Sequence, residues 1–144
     1  MKTKIIISLL VLLIAIQFIK IDRSVPENFQ DYDFLVYNQT NAEITTLLKS
    51  ACYDCHSYET KYPWYSQIAP VSWYLKRHIN EGREHLNFSD WKYLSEEKRA
   101  HKIDECIELI EEDEMPLFSY SLIHKEAKLS EEQKEQLVEF FKAL

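Results

Sequence analysis

The chain has 144 residues, of which 46% are hydrophobic, 13% aromatic and 28% charged, and its formal net charge is −7. This length and apolar content predict one small folded domain and exclude a disordered chain. The single glycine, Gly82, excludes both the G-x-G-x-x-G dinucleotide turn and the G-x-x-x-x-G-K-[ST] phosphate loop. So little glycine also favours helices over tight hairpins.

The first 23 residues predict a signal sequence or a membrane anchor. Two lysines precede an apolar run over residues 5–19 that is interrupted only twice. A run of this length suits a signal sequence and is short for a helix that crosses ~30 Å of hydrocarbon. Because no A-x-A-like cleavage site follows, an uncleaved anchor is favoured, while a cleaved peptide and a buried core helix stay open. The basic start predicts that the remainder lies outside the cytoplasm, anchored on the periplasmic side of the inner membrane or free in the periplasm.

The rest of the chain predicts a linker followed by one domain. Residues 24–40 mix aromatic and polar side chains without a period and predict the linker, and residues 41–144 predict the domain. Residues 24–144 keep 13 of the 17 basic and 23 of the 24 acidic side chains, a formal charge of −10. Such a surface repels nucleic acid and favours a basic protein partner.

Helix signals divide this domain into several helices. Asn41 is an N-cap candidate before an apolar face at three- and four-residue spacing, and Pro70 suits the first turn of a second helix. Ser95, followed by two glutamates, opens a third helix, and Ser130 with Gln133 forms a capping box for the last. We therefore predict an all-α domain of four to five helices.

The segment ACYDCHS, residues 51–57, carries a C-x-x-C-H motif made of Cys52, Cys55 and His56. Two thiols at this spacing can add across the two vinyl groups on one edge of haem, and the next residue is then held beneath the iron as an axial ligand. In bacteria this attachment takes place outside the cytoplasm, where the N-terminal segment directs the chain. The motif thus predicts a covalent haem c, attached by the c-type cytochrome maturation machinery.

Other interpretations of this cysteine pair stay open. A redox dithiol is disfavoured because the thioredoxin-like version needs a βαβ context, which this chain lacks. A zinc site would combine Cys52 and Cys55 with His101 and Cys106, but the last two are five apart on one helix and face different directions. A coincidental pair of buried thiols is the remaining alternative. We interpret the third cysteine, Cys106, as a small buried hydrophobic residue.

A haem electron carrier needs a sixth iron ligand, normally methionine or histidine. Met115 is the one methionine apart from the first residue, and Pro116 follows it in an acidic, loop-like stretch. We predict Met115 as this ligand, while a core gap-filler is its alternative role. The rival ligands are the remaining histidines: His78, His85, His101 and His124.

Haem also needs donors for its propionates and an apolar lining. Arg83 is the predicted propionate partner. Tyr62, Trp64 and Trp73 are predicted as further donors or pocket walls, and each of them would suit an ordinary core equally well.

Two longer stretches resemble a known family. CYDCHSYETKYPWYSQIAPVSWYLKRHINEGREHLNFSDW and EMPLFSYSLIHKEAKLS resemble the small haem-binding domain of exported proteins in Bacteroidetes-type bacteria, a relative of the monohaem cytochromes c. The resemblance covers roughly residues 28–144. It implies covalent haem on Cys52 and Cys55, with His56 as the proximal ligand and Met115 in the distal position.

The sequence therefore predicts a monohaem c-type cytochrome that passes single electrons to and from partner proteins and does not convert a substrate. The acidic run EEDE before Met115 would steer a basic redox partner, or is ordinary solvated surface. A haem-based sensor or peroxide-reacting protein with a labile sixth ligand is the alternative. A structural zinc-binding module is a second alternative.

Overall fold

The computed structural model describes residues 1–27 and 29–144, and these ranges are helical and contain no strand, which confirms the predicted all-α class. The predicted number of four to five helices is too low, because the described ranges hold seven α-helices after the N-terminal one. Three of the seven, Phe34–Tyr37, Tyr53–His56 and Phe118–Ile123, are too short to produce a hydrophobic period in the sequence. Asn28, inside the predicted linker, lies outside the described residues. The α-helices of the described ranges are α1 (Lys2–Ile16), α2 (Phe34–Tyr37), α3 (Ala42–Ala51), α4 (Tyr53–His56), α5 (Val71–His85), α6 (Glu96–Glu111), α7 (Phe118–Ile123) and α8 (Glu131–Lys142). Short 3₁₀ helices cover Phe29–Tyr32, Trp64–Gln67, Phe88–Tyr93 and Lys125–Ala127.

Three of the four longest helices after α1 begin at the N-caps that the sequence predicts. Asn41 Oδ1 accepts a hydrogen bond from the first turn of α3, and Ser95 Oγ does the same for α6. Ser130 and Gln133 form the reciprocal capping box at the start of α8. Pro70 differs slightly from its predicted place, because it is the N-cap of α5 and the helix begins one residue later.

The core lies where α3, α6 and α8 meet the segments before α3 and after α5. Helix α6 packs against α8, α3 packs against α8, and α4 packs against α5. The residues that are buried together in this core include Leu48, Tyr53, Phe88, Trp91 and Leu137. The motif helix α4 is therefore attached directly to the core.

Part of the predicted linker belongs to this core. Phe34 is fully buried, with its ring centroid 5.0 Å from that of Phe88 and 4.7 Å from that of Trp91. Asp33 is also buried and accepts a hydrogen bond from the Leu35 N–H at the start of α2. Residues 33–37 are thus an integral part of the domain, and the boundary predicted at residue 41 falls too late. Helix α2 is too short to produce a hydrophobic period, so the sequence pattern missed it.

Helix α1 differs from every other long helix because none of its residues is buried. Its apolar side chains from Ile5 to Ile14 are about half exposed or more, on all sides of the helix. In residues 1–27 and 29–144 no helix has both the length and the apolar character needed to cross a membrane.

Candidate functional site

A largely apolar cavity of about 610 Å³ lies between α4, α5, α6 and the connection from α6 to α7. This volume falls in the range typical of small-molecule and cofactor sites. Cys52, Cys55, His56 and Met115 all line it. Four predicted site residues, separated by up to 63 positions in the chain, thus face one cavity.

The motif sits on α4, a single helical turn that follows α3 after Cys52. Tyr53, inside the motif, is buried, stacks on Phe88 with the ring centroids 5.2 Å apart, and donates a hydrogen bond from its hydroxyl to Asp33 Oδ1 at 2.8 Å. Ser57 Oγ donates to the Tyr53 carbonyl at 2.7 Å. These contacts hold α4 in place, so the two cysteines and the histidine start from fixed backbone positions.

His56 is oriented by the backbone of α5. Its Nδ1 lies 3.0 Å from the Gly82 carbonyl oxygen and 3.0 Å from the Leu86 carbonyl oxygen. A carbonyl can only accept, so Nδ1 carries the hydrogen and Nε2 keeps its lone pair. Burial also lowers the pKa of His56, which favours the neutral ring. A neutral imidazole with Nε2 available is the form that ligates iron.

The single glycine explains how α5 comes so close to the motif. A Cβ placed on Gly82 would lie 2.9 Å from the carbonyl oxygen of Cys55 and 3.4 Å from the Cys55 Cβ. Any larger residue would force the two backbones apart, since a backbone atom cannot rotate away as the end of a flexible side chain can. The absence of a side chain at residue 82 therefore brings the α5 carbonyls within reach of His56.

Burial favours the protonated form of the cavity thiols. Burial raises the pKa of Cys52 to about 12 and that of Cys55 to about 11. Redox-active cysteine pairs usually show the opposite shift, a lowered pKa. The third thiol, Cys106, lines the same cavity from α6, and burial raises its pKa to about 12. This environment does not favour the redox-dithiol interpretation.

Met115 lies on the connection between α6 and α7, where its N–H donates to the Leu109 carbonyl at 3.0 Å. Of the rival histidines, His78 and His85 line the cavity as well. His101 and His124 are outside its lining: His101 pairs with Glu105, and His124 Nε2 lies 2.7 Å from the hydroxyl oxygen of Tyr65. The candidates for a sixth ligand inside the cavity are therefore Met115, His78 and His85.

Four predicted site residues lie outside the cavity lining: Arg83, Tyr62, Trp64 and Trp73. Arg83 is engaged elsewhere, because its Nε donates to the Ser57 carbonyl at 2.8 Å and it lies over the Tyr58 ring. Trp64 is 76% exposed, and Trp73 Nε1 donates to the Ile19 carbonyl. Their roles as propionate partner, donors and pocket walls stay predictions that these contacts do not support.

One face of α6 lines the cavity and was missed by the sequence interpretation. Lys102, Glu105, Cys106 and Leu109 follow the spacing i, i+3, i+4 and i+7, which places them on one side of a helix. Lys102 Nζ donates to Glu105 Oε2 at 2.6 Å, so the face combines a polar end with an apolar one. The spacing was readable in the sequence, but a lysine and a glutamate on this face concealed it.

The zinc alternative finds no ligand set in the described part of the chain. No group of three or more histidine, cysteine, aspartate or glutamate side chains comes together there in a way that could hold a metal ion. His101, one of the four predicted zinc ligands, faces Glu105 at 3.3 Å.

Residues 11–143 match the haem-binding domain family. The chain belongs to this family. No significant match appears among the curated proteins or among the solved structures. The geometry of the haem-binding domain suits its cofactor: one cavity holds two thiols at C-x-x-C spacing, an imidazole whose Nε2 is available, and a thioether sulfur. The family match and this donor set together identify a haem-binding protein.

Proposed function

We propose that this haem-binding domain is a monohaem c-type cytochrome that carries single electrons outside the cytoplasm. The observation that carries the proposal is the orientation of His56. The carbonyls of Gly82 in α5 and of Leu86 just after it engage the Nδ1 of His56, so Nε2 is the nitrogen available in a cavity that the two motif thiols also line. A histidine fixed in this way next to a cysteine pair is the arrangement that a covalently held haem requires.

Cys52 and Cys55 are the proposed attachment points. Each thioether forms when a thiol adds across a vinyl double bond: the sulfur bonds to one carbon and the thiol hydrogen goes to the other. No atom is lost, and the addition needs no oxidant or reductant. The attached polypeptide therefore gains the full mass of one haem.

Met115 is the proposed sixth ligand. It lines the same cavity as His56 and comes from a different part of the chain. Its thioether is a soft ligand that favours ferrous iron and raises the reduction potential. With His56 and Met115 as its two protein ligands, a bound haem would supply one-electron chemistry and would have no position left for a substrate. We therefore propose an electron carrier and no substrate conversion, with a redox protein as partner.

One observation favours the alternative, a haem sensor or peroxide-reacting protein with a labile sixth ligand. The chain after Met115 is largely at the surface, with the Phe118 and Leu122 side chains 78% and 64% exposed. A ligand on such a segment can leave the iron more easily than one that is packed in the core.

We also propose that α1 stays attached and anchors the domain on the periplasmic side of the inner membrane. The residues just after α1 are hydrogen-bonded to the domain, as described below, and the family match begins at residue 11, inside α1. Both observations support retention of this segment over its removal.

Denaturing mass spectrometry tests the attachment directly. The full chain, expressed with a c-type maturation system, should gain the mass of one haem and give the pyridine-haemochrome spectrum of a thioether-linked haem. Cys52→Ala/Cys55→Ala should lose the added mass. Cys106→Ala is the matched control, because Cys106 is also a thiol on the cavity wall, and it should keep the haem. An unmodified mass for the mature wild-type chain would refute covalent attachment.

The spectrum of the ferrous protein separates the carrier from the sensor. A carrier should show sharp low-spin bands that carbon monoxide does not change. A high-spin spectrum that shifts on addition of carbon monoxide would refute the carrier and support the sensor or peroxide-reacting protein.

A further inference from the structure

The segment that follows α1, residues 17–23, is attached to the region around the start of α5. Gln17 and Ala69 are joined twice: Gln17 Nε2 donates to the Ala69 carbonyl at 2.9 Å, and the Ala69 N–H donates to Gln17 Oε1 at 3.0 Å. Trp73 Nε1 donates to the Ile19 carbonyl at 3.1 Å. Hydrogen bonds to the Gln17 side chain and to the Ile19 backbone therefore fix the base of α1 against this part of the domain.

Two basic side chains strengthen the same junction. Arg23 donates to the Ser66 carbonyl at 2.9 Å and to Ser66 Oγ at 3.0 Å, and Lys20 Nζ lies 3.4 Å from the Gln67 carbonyl oxygen. The segment thus carries two cations and one carboxylate, Asp22, an excess of one positive charge, although residues 24–144 have a formal charge of −10.

The stretch of chain that binds residues 17–23 also carries large exposed apolar side chains. Trp64, Ile68, Val71 and Tyr74 are 76%, 43%, 46% and 61% exposed. They belong to the 3₁₀ helix Trp64–Gln67, the residues after it and the first turn of α5, the same stretch that binds residues 17–23. We call these four residues the apolar collar.

The length of α1 bears on where this collar lies. Its 15 residues span only about 22 Å at the helical rise of 1.5 Å per residue, less than the ~30 Å hydrocarbon core of a bilayer. A helix this short that enters a bilayer draws its base toward the headgroups. Because the base is hydrogen-bonded to Ala69, the neighbouring collar residues move with it.

We propose that the apolar collar lies in the headgroup region of the membrane, so that the domain rests directly on the bilayer surface. This inference depends on the proposed membrane attachment of α1 and adds a second contact. Tryptophan and tyrosine prefer the headgroup level, and lysine and arginine beside them attract anionic lipids. The collar and its two cations supply both features.

A lipid surface fits this face better than a protein partner does. A helix that binds a protein presents one apolar stripe, whereas α1 is apolar on every side and buries no residue. The collar residues belong to the stretch that is hydrogen-bonded to the base of α1, which is the end of the helix where an interfacial band is expected. A lipid bilayer therefore covers α1 and the collar together.

Brominated-lipid quenching tests the proposal on the full-length, haem-loaded chain in phosphatidylethanolamine–phosphatidylglycerol vesicles. The emission of Trp64 is the difference between the wild type and Trp64→Phe. Lipids brominated near the headgroup end of the acyl chain should remove most of this emission. In the Trp64→Phe background, the indole introduced by Tyr93→Trp is the control, because Tyr93 is also exposed but packs on Tyr32. Its emission should be unaffected.

A matched pair of charge variants provides the second measurement. Val71→Glu should lower the quenching of Trp64, whereas Val36→Glu, which adds the same charge at an exposed valine of α2, should not. Vesicle flotation distinguishes a failure of the collar proposal from a failure of the proposed membrane attachment. If the protein floats with the vesicles and Trp64 is not quenched, the collar proposal is wrong and the anchor stands. If the protein does not float, membrane attachment and collar are both wrong, while the haem chemistry is unaffected.

Discussion

The motif side of the cavity is fixed by backbone packed against backbone, whereas the Met115 side is held by the hydrogen bond of the Met115 N–H to the Leu109 carbonyl and by a side-chain contact of α7. On the motif side, α5 touches the Cys55 backbone at Gly82, and two carbonyls orient His56. On the other side, Tyr120 of α7 donates a hydrogen bond to Asp54 Oδ2 at 2.6 Å, and most of α7 is exposed. The proposed proximal ligand, His56, is therefore held by backbone contacts, whereas the position of the proposed distal ligand, Met115, depends on how well α7 stays in place.

The largest expected effect is that of His56→Ala. The motif thiols remain, so the proposed attachment of haem should be kept, while the loss of the proposed proximal ligand should abolish the low-spin spectrum. Absorption spectra of the ferric and ferrous protein measure this loss. His101→Ala is the control, since His101 is exposed and makes only a surface ion pair. A low-spin spectrum in His56→Ala would show that His56 is not the axial ligand.

Gly82→Ala should destabilise the protein by about 1–3 kcal/mol, because the added Cβ meets the Cys55 carbonyl oxygen at 2.9 Å. Helix propensity alone predicts the opposite sign, a gain of about 1 kcal/mol. The free energy of unfolding of the haem-loaded protein, measured with a denaturant, decides between the expected loss and this gain of stability. Asn80→Ala, at an exposed position of the same helix, should show the small gain. If Gly82→Ala also stabilises the protein, the close contact does not position His56.

Met115→Ala should abolish the long-wavelength absorption band of a thioether bound to ferric haem and lower the reduction potential. Haem content should stay unchanged, because attachment depends on the other side of the cavity. His78→Ala and His85→Ala, which also remove cavity residues, should leave the band intact. Should one of these histidine variants lose the low-spin spectrum while Met115→Ala keeps it, that histidine is the sixth ligand.

Tyr120→Phe should have the smallest effect. It removes the hydrogen bond to Asp54 and should cost about 1 kcal/mol. The thioether band should also weaken, since α7 would hold Met115 less firmly. Tyr37→Phe is matched to it, because the Tyr37 hydroxyl accepts a hydrogen bond from Arg99 away from the cavity. Equal bands in the two variants would show that Tyr120 does not position Met115.

The sequence by itself determined the features that depend on neighbouring residues. Helix caps at Asn41, Ser95 and Ser130 act within one turn, so the starts of α3, α6 and α8 were predictable. The C-x-x-C-H spacing is equally local, since the motif itself places two thiols and an imidazole together.

Only the tertiary structure decided which distant residues share the cavity. Nothing near Arg83 in the sequence shows that its Nε donates to the Ser57 carbonyl. The role of Gly82 likewise appears only when α5 is placed against Cys55. Such contacts join residues far apart in the chain, so they depend on helix packing and leave no local pattern to read.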